Sequence, residues 1–348
     1  MNGYERCKSA IGWQKTDCLP VVPQNTVMAI SRSGYGMIEC LKNPVKLANA
    51  VLEAQQEYGY DGILLGSDSV ILAEALGCET HYREDDSPGV VGHIIENIED
   101  VDDLKPIDLL KNKRVNVWLD ATRLILEKTK GKVYVICRAD QGAFSLATLL
   151  RGAENMMIDL ALNIDPARIS KLLEFCNSIH IQFARLVKAT GAHATTCGDA
   201  FCGPGLIGPV LYEMFAFPYQ KKAVEYIEGE IGIPYSIHIC GKTAAIHEIW
   251  SKTEASIFEV DHNTDIVSLR KFTLGKTCLM GNIDTTLLCN GSTSEVKEAC
   301  DKLLNSIDPT MGFILSSGCS MSANTNPDNV AAMVEAARNF KKIKIKKA

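Results

Sequence analysis

The chain has 348 residues, 46% hydrophobic and 22% charged, with a formal net charge of −6, a globular composition long enough for one large domain or two ordinary ones. Its only basic tract, residues 341–347, reads as a solvated tail, so nucleic acid is not an expected partner. No apolar run reaches the roughly 18 residues of a bilayer span, and residues 1–6 lack the apolar core of a signal peptide, so a cytoplasmic protein with no membrane partner is expected.

Short apolar runs rich in β-branched residues alternate with longer stretches of helical period. In chain order, strands are expected over 19–23, 62–66, 133–137, 193–197, 234–239, 257–260, 277–281 and 312–315. Helices are expected over 44–58, 115–130, 166–190, 211–231, 244–253 and 294–306, with Pro166 and Pro327 as helix starters. Strand and helix alternating eight times predict an α/β fold, a single (β/α)8 TIM barrel with a short N-terminal extension, filling residues 1–348 as one domain. The competing open dinucleotide-binding sheet needs a Gly-x-Gly-x-x-Gly after an early strand. Gly203-Pro204-Gly205-Leu206-Ile207-Gly208 matches by letter, but its proline and the lack of a preceding buried strand assign it to a loop.

Enzymes of this architecture build their sites at the carboxyl ends of the strands. Those ends carry Asp68, Asp140 and Asp199 after the second, third and fourth strands, and His238 and Cys240 on the fifth. Asp261 and His262 follow the sixth, Asn282 and Asp284 the seventh, and Cys319 the eighth. Any one of these aspartates also suits a turn or a helix cap. In His238-Ile239-Cys240, strand alternation points both outer side chains to the same face. With Cys319 they make one imidazole and two thiols, a set that suits Zn²⁺ and leaves a fourth position open, as catalytic zinc sites do.

The plainer reading is that 13 cysteines and 7 histidines produce such a pair by chance, since a free cysteine packs as a small apolar side chain. Cys7, Cys18, Cys40, Cys78, Cys176, Cys278, Cys289 and Cys300 read as inert thiols of a reducing interior. Cys197 and Cys202 read as packing, two ligands being too few for a second metal site. His247 reads as a surface or supporting residue.

Several segments resemble the uroporphyrinogen decarboxylase superfamily over about residues 18–338. They are Asp61-Gly62-Ile63-Leu64-Leu65-Gly66-Ser67-Asp68 with Glu74-Ala75-Leu76-Gly77, then Gly142-Ala143-Phe144-Ser145-Leu146-Ala147, Gly281-Asn282-Ile283-Asp284 and Asn326-Pro327-Asp328-Asn329-Val330. The resemblance implies a single (β/α)8 barrel. The decarboxylases tend to carry an N-terminal Arg-Gln-Ala-Gly-Arg stretch whose arginines meet the acidic groups of a tetrapyrrole. Here residues 24–32 hold one arginine. They also tend to carry Gly-His-Gly where this chain has Gly318-Cys319-Ser320.

His238-Ile239-Cys240-Gly241 with Cys319 is instead similar to the zinc-dependent methyltransferase branch, typified by methylcobamide:coenzyme M methyltransferases. That resemblance implies Zn²⁺ on His238, Cys240 and Cys319, and a methyl group moved between a methylcobamide and a zinc-activated thiol. It implies a corrinoid delivered by a separate protein, since the Asp-x-His-x-x-Gly signature of corrinoid-binding domains is absent. Asp261 or His262 is expected as a displaceable fourth ligand, although the branch tends to have an acidic pair where His262 stands. Asp68 matches the decarboxylases' catalytic aspartate, with orientation or structure as its expected part here, and Asp199 lies on another mouth loop. Two alternatives remain: a demethylase loading a Co(I) corrinoid protein from a methylated or methoxylated small molecule, and a uroporphyrinogen decarboxylase-like lyase.

Overall fold

The computed structural model describes residues 1–66, 68–307 and 309–346, with side chains through Phe340; the side chains of the basic tract 341–347 lie outside that description. Nine strands form among the described residues: β1 (Gly62–Leu65), β2 (Glu79–His81), β3 (Gly89–Gly92), β4 (Tyr134–Gln141), β5 (Ala194–Gly198), β6 (Tyr235–Ile239), β7 (Ile257–Val260), β8 (Cys278–Ile283) and β9 (Phe313–Ser317). Strands β2 and β3 make a separate hairpin, and the other seven make one parallel sheet in the order β1-β4-β5-β6-β7-β8-β9.

The sheet curls until its two edges meet a common segment. Leu315 N–H donates to the Pro20 carbonyl (2.9 Å), Val22 N–H to Leu315 (3.0 Å) and Asp61 N–H to Val21 (2.8 Å). The first expected strand is thereby shortened to a single bridge, Val21 to Leu315, because Pro20 and Pro23 on either side carry no N–H to extend a ladder. Inside the curl, Leu64, Tyr134, Ile136, Ala194, Ile257, Cys278, Met280 and Ile314 pack together. The N-terminal extension is a helix, Gly3–Ile11, started by an Asn2–Glu5 capping box. It closes the amino ends of the strands by adding Cys7 and Ala10 to that interior, with Tyr4 N–H donating to the Lys132 carbonyl (3.1 Å). A larger apolar core lies between sheet and outer helices.

Most expected helices form near their expected bounds: Pro44–Tyr58, Lys113–Thr129, Pro166–Ala189, Thr293–Ile307 and, from Pro327, Pro327–Lys346. Three expectations are corrected. The segment 203–208 is not a loop: a helix, Pro204–Phe215, starts there, with Pro204 in its first turn and a kink at Gly208 (φ 70°, ψ 167°) before Pro209. The expected 211–231 helix breaks at Ala216, where Pro218 opens a new helix, Phe217–Val224, that runs into a π-helical turn, Glu225–Ile231. Over 244–253 there is only a 3₁₀ turn and the five-residue helix His247–Ser251. No helix among the described residues is long and apolar enough to cross a membrane.

His180, on the outer face of β4 and β5, sets a pH dependence of the fold. Its ring is fully buried, with Nδ1–H donating to the Ala139 carbonyl (3.0 Å) and Nε2 beside the Tyr235 hydroxyl (2.7 Å). Burial pushes its pKa from 6.5 down to about 4. The unfolded chain therefore takes up a proton below pH 6.5 that the folded chain refuses, so the stability is complete above pH 6.5 and is lost as pH falls toward 4. Between pH 7 and pH 5 this one residue is expected to cost about 2 kcal/mol. Urea midpoints at the two pH values should converge in His180→Gln by that amount; an undiminished pH slope would assign it elsewhere.

Candidate metal centre

Strand β6 carries His238 in register with Gly198 on one side and Glu259 on the other. The alternation that buries Ile237 and Ile239 among apolar side chains turns His238 and Cys240 toward the barrel axis. Asp261 is the first residue beyond β7, and Cys319 follows β9 by two residues. The loop bearing Cys319 is held close to the one bearing His262: a Cβ on Gly318 would stand 2.4 Å from the His262 nitrogen, and Gly318 N–H donates to the Ile283 carbonyl (2.8 Å). The result is one cluster. Ligand atoms of His238, Cys240, Asp261 and Cys319 all lie within 4.8 Å of one another, and this is the one such group of its kind among the described residues.

The imidazole is oriented for ligation. His238 Nδ1 lies 3.0 Å from the Glu259 carbonyl oxygen, which only accepts, so Nδ1 carries the proton and Nε2 is the free nitrogen. Nε2 faces Cys240 Sγ at 3.2 Å and Cys319 Sγ at 3.6 Å. The hydrogen bond from Cys240 holds the Cys319 thiol well below its usual range despite burial, while sharing that proton with Cys319 pushes Cys240 up. The pair thus favours ionisation at Cys319, and the thiolate is the form that binds metal. Asp261 Oδ1 accepts from the Asn263 backbone (2.7 Å) and side chain (3.0 Å).

Beneath the cluster, toward the apolar interior, lies a buried charged floor. Glu259 is wholly inaccessible; its Oε2 accepts from Arg138 Nη2 at 3.2 Å, and its Oε1 accepts from the Thr196 hydroxyl. The same residue therefore grips His238 through its backbone and Arg138 through its side chain. Beside the sulfurs is a cavity of about 200 Å³, lined by Arg138, Gln24, Gln141 and Ser320 among others, with Ser87 of the 83–88 loop at its edge.

The other expected mouth residues separate. Asp68 is buried in an ion pair with Arg114, which also bonds Glu74 (2.7 Å) and the Tyr82 hydroxyl, and lies outside the cluster. Asp199 is buried and raised in pKa by burial, accepting from Ser145 N–H and Gln220 Nε2, both at 2.8 Å. Asp140 accepts from Leu72 N–H (2.6 Å) and is pushed up to about 7 by burial. His262 stands 3.6 Å from Asp261 and 3.7 Å from Asp284, flanking the cluster without joining it. Asn282 donates to the Asp261 and Thr264 carbonyls (3.0 and 3.1 Å), and Asp284 caps the helix Thr285–Asn290.

His247, expected as a surface or supporting residue, is buried, and its Nε2 lies 3.2 Å from Thr243 Oγ1. That threonine is 2.9 Å from Thr264, whose hydroxyl donates to the Gly241 carbonyl (2.7 Å). Cys197 contacts the Tyr235 hydroxyl (2.8 Å) and Cys202 the Gln220 amide (3.4 Å), and all 13 cysteines are free thiols. Sequence reasoning missed the Arg138–Glu259–Thr196 floor. Its signal was present: Glu259 is the lone charge of β7 and Arg138 the one cation of β4.

The uroporphyrinogen decarboxylase (URO-D) family profile matches residues 3–340. A methylcobamide:CoM methyltransferase MtbA of Methanosarcina acetivorans is 31% identical over 343 residues, covering 97% of this chain and 98% of that protein. A uroporphyrinogen decarboxylase of Thermodesulfovibrio yellowstonii is 24% identical over 314 residues, covering 89% and 88%. In fold, a methyltransferase from Methanosarcina mazei superposes with a TM-score of 0.88 at 21% identity, covering 98% of this chain and 99% of that one. Matched along almost its whole length by profile, relative and fold alike, the chain belongs to the uroporphyrinogen decarboxylase family.

Proposed function

We propose that the protein is a cytoplasmic zinc-dependent methyltransferase, moving a methyl group between a corrinoid held by a partner protein and a zinc-activated thiol such as coenzyme M. The observation that carries this reading is the convergence of His238, Cys240, Asp261 and Cys319, of which His238, Cys240 and Cys319 line a cavity of about 200 Å³. One nitrogen, two sulfurs and a carboxylate are the donor set of a thiolate-rich zinc site. Bound zinc supplies a Lewis acid that lowers the pKa of a coordinated thiol into the neutral range.

The chain's own residues do the rest. His238 Nε2, Cys240 Sγ and Cys319 Sγ would hold the ion with Asp261 as a further donor, and the Glu259 carbonyl keeps the ring in its ligating tautomer. The incoming thiol gives up its proton to solvent. Its sulfur then forms the new S–CH₃ bond as the Co–CH₃ bond breaks, with that electron pair staying on cobalt to give Co(I). Asp68 and Asp199 support this geometry from outside, as anchors of the mouth loops rather than as groups touching substrate.

A cavity of about 200 Å³ accommodates a small thiol. Its single arginine also falls short of a polyacidic macrocycle. The test is spectroscopic: zinc-loaded protein, methylcobalamin and 2-mercaptoethanesulfonate, following loss of the methyl-cobalt band and gain of thioether. Turnover only from a methylated donor to Co(I) would turn the reading to a demethylase, and coproporphyrinogen formed from uroporphyrinogen would sink it.

A further inference from the structure

We propose that Thr264 is a positioning residue of the metal centre: its hydroxyl, the end of a hydrogen-bonded chain from His247, sets the gap between Cys240 and Asp261 and thereby the affinity for zinc. The metal in this inference rests on the zinc reading above; the chain itself rests on geometry alone. The ladder between β6 and β7 ends at the pair Ile239 and Val260. Cys240 and Asp261 are the first residues beyond it, so the sheet no longer holds the two loops together where the ligands stand. Thr264 holds them instead. Its N–H donates to the Asp261 carbonyl at 3.0 Å, making one turn of residues 261–264, and its hydroxyl crosses to the Gly241 carbonyl at 2.7 Å. Gly241 has φ 83°, a left-handed conformation open to glycine at no steric cost, so the chain turns directly after Cys240 to meet that hydroxyl. From the next strand, Asn282 Nδ2 donates to the carbonyls of Asp261 (3.0 Å) and Thr264 (3.1 Å) and clamps the other side of the turn.

The direction of the chain is fixed by its acceptor end. A carbonyl only accepts, so the single hydroxyl proton of Thr264 goes to Gly241. Thr243 Oγ1, 2.9 Å from Thr264 Oγ1, must then donate to it. With its own proton used, Thr243 can only accept from His247 Nε2 at 3.2 Å. The ring is therefore the Nε2–H tautomer. Thr243 is inaccessible, His247 2% exposed and Thr264 5%, so solvent does not stand in for a missing member, and a Gly241 carbonyl stripped of its donor leaves the Cys240 loop free to shift. Loss of a hydrogen bond that orients a metal ligand typically lowers metal affinity about 10–100-fold.

The test sets wild type beside Thr264→Val, Thr264→Ser and Thr148→Val. The last removes a buried hydroxyl bonded to the Phe144 carbonyl (2.8 Å), away from the cluster in its bonding, and controls for structural loss. Competition with a chromophoric chelator should show zinc affinity about 10–100-fold lower in Thr264→Val, and close to wild type in Thr264→Ser and Thr148→Val. Cobalt(II) in place of zinc should give altered ligand-field bands in the valine variant and wild-type bands in the serine variant. Nitrogen NMR shifts of the His247 ring should place its proton on Nε2 in metal-free wild type. Three results each overturn the proposal: wild-type zinc affinity in Thr264→Val, an equal loss in Thr148→Val, or a His247 proton on Nδ1. If Thr264→Val does not fold, Thr264→Ala, which removes the hydroxyl and leaves space, carries the same comparisons. A wild type that takes up no zinc sinks the zinc reading and the positioning role with it, whereas a valine variant that keeps wild-type affinity sinks the positioning role alone.

Discussion

Cys319→Ser is expected to lower bound zinc from about one per chain to a small fraction, and to lower methyl transfer about 1,000-fold, because thiolate ligation is replaced by a poorly ionised hydroxyl. Cys319 is the sulfur whose pKa its neighbour Cys240 holds down, 3.6 Å from His238 Nε2. Its removal also leaves Cys240 without the partner that shares its proton, so the remaining thiol reverts toward an ordinary one. Cys289 provides the control: its sulfur contacts the Asn324 carbonyl at 3.5 Å, far from the cluster in its bonding, and Cys289→Ser should keep wild-type zinc. Metal analysis of anaerobically purified proteins decides it. A Cys319→Ser protein with full zinc, or a wild type with none, would remove the ion from the mechanism.

Glu259→Ala should be among the most destabilising single changes in the barrel, costing about 3–5 kcal/mol, because it strands a buried guanidinium without its carboxylate. Arg138 is 6% exposed and Glu259 not at all, so water does not replace the lost partner. The alanine keeps its backbone carbonyl on His238, so folded Glu259→Ala should still retain zinc. Stability and metal content therefore separate in this variant, whereas they fall together if Glu259 acts through the ion. The paired change Arg138→Met with Glu259→Leu should recover much of the stability, since an apolar pair of similar volume avoids desolvating two charges. Urea unfolding of the three proteins measures both effects, and a loss under 1 kcal/mol in Glu259→Ala would mean that the floor relaxes around the missing charge.

The parts of this molecule that were legible in the sequence follow local rules. Strand period and β-branched composition located β1, β6 and β7 within a residue, and Pro44 and Pro166 fixed the starts of two long helices. The spacing of His238 and Cys240 made one face from strand alternation alone, and the barrel expectation brought Cys319 to them. Illegible were features decided by packing between distant segments. Nothing local in Asp68 distinguishes a mouth carboxylate from one locked to Arg114, and a capping-type position such as Asp199 looks the same whether it faces substrate or accepts from Ser145 and Gln220. The hairpin of β2 and β3 has strands of three and four residues, too short for a period to register. Glu259 was the recoverable omission: a charge in the middle of Ile257-Phe258-Glu259-Val260 requires a buried partner, and Arg138, the one cation of β4, was the matching one.

The closure of the ring bears on the order in which the protein comes into being. Gln24 N–H donates to Ser317 Oγ across 293 residues, and Asp61 ties Arg6 of the first helix (2.9 Å) and Arg338 of the last (2.8 Å) to the same seam. A ribosome releases residues in sequence, so the seam stays open until the final strand and helix have left the exit tunnel. His238 and Cys240 exist on the nascent chain well before that moment, but Cys319 reaches them only when the two ends meet. Assembly of the candidate ligand set therefore waits on the meeting of the two sheet edges, and His238 with Cys240 alone does not make it.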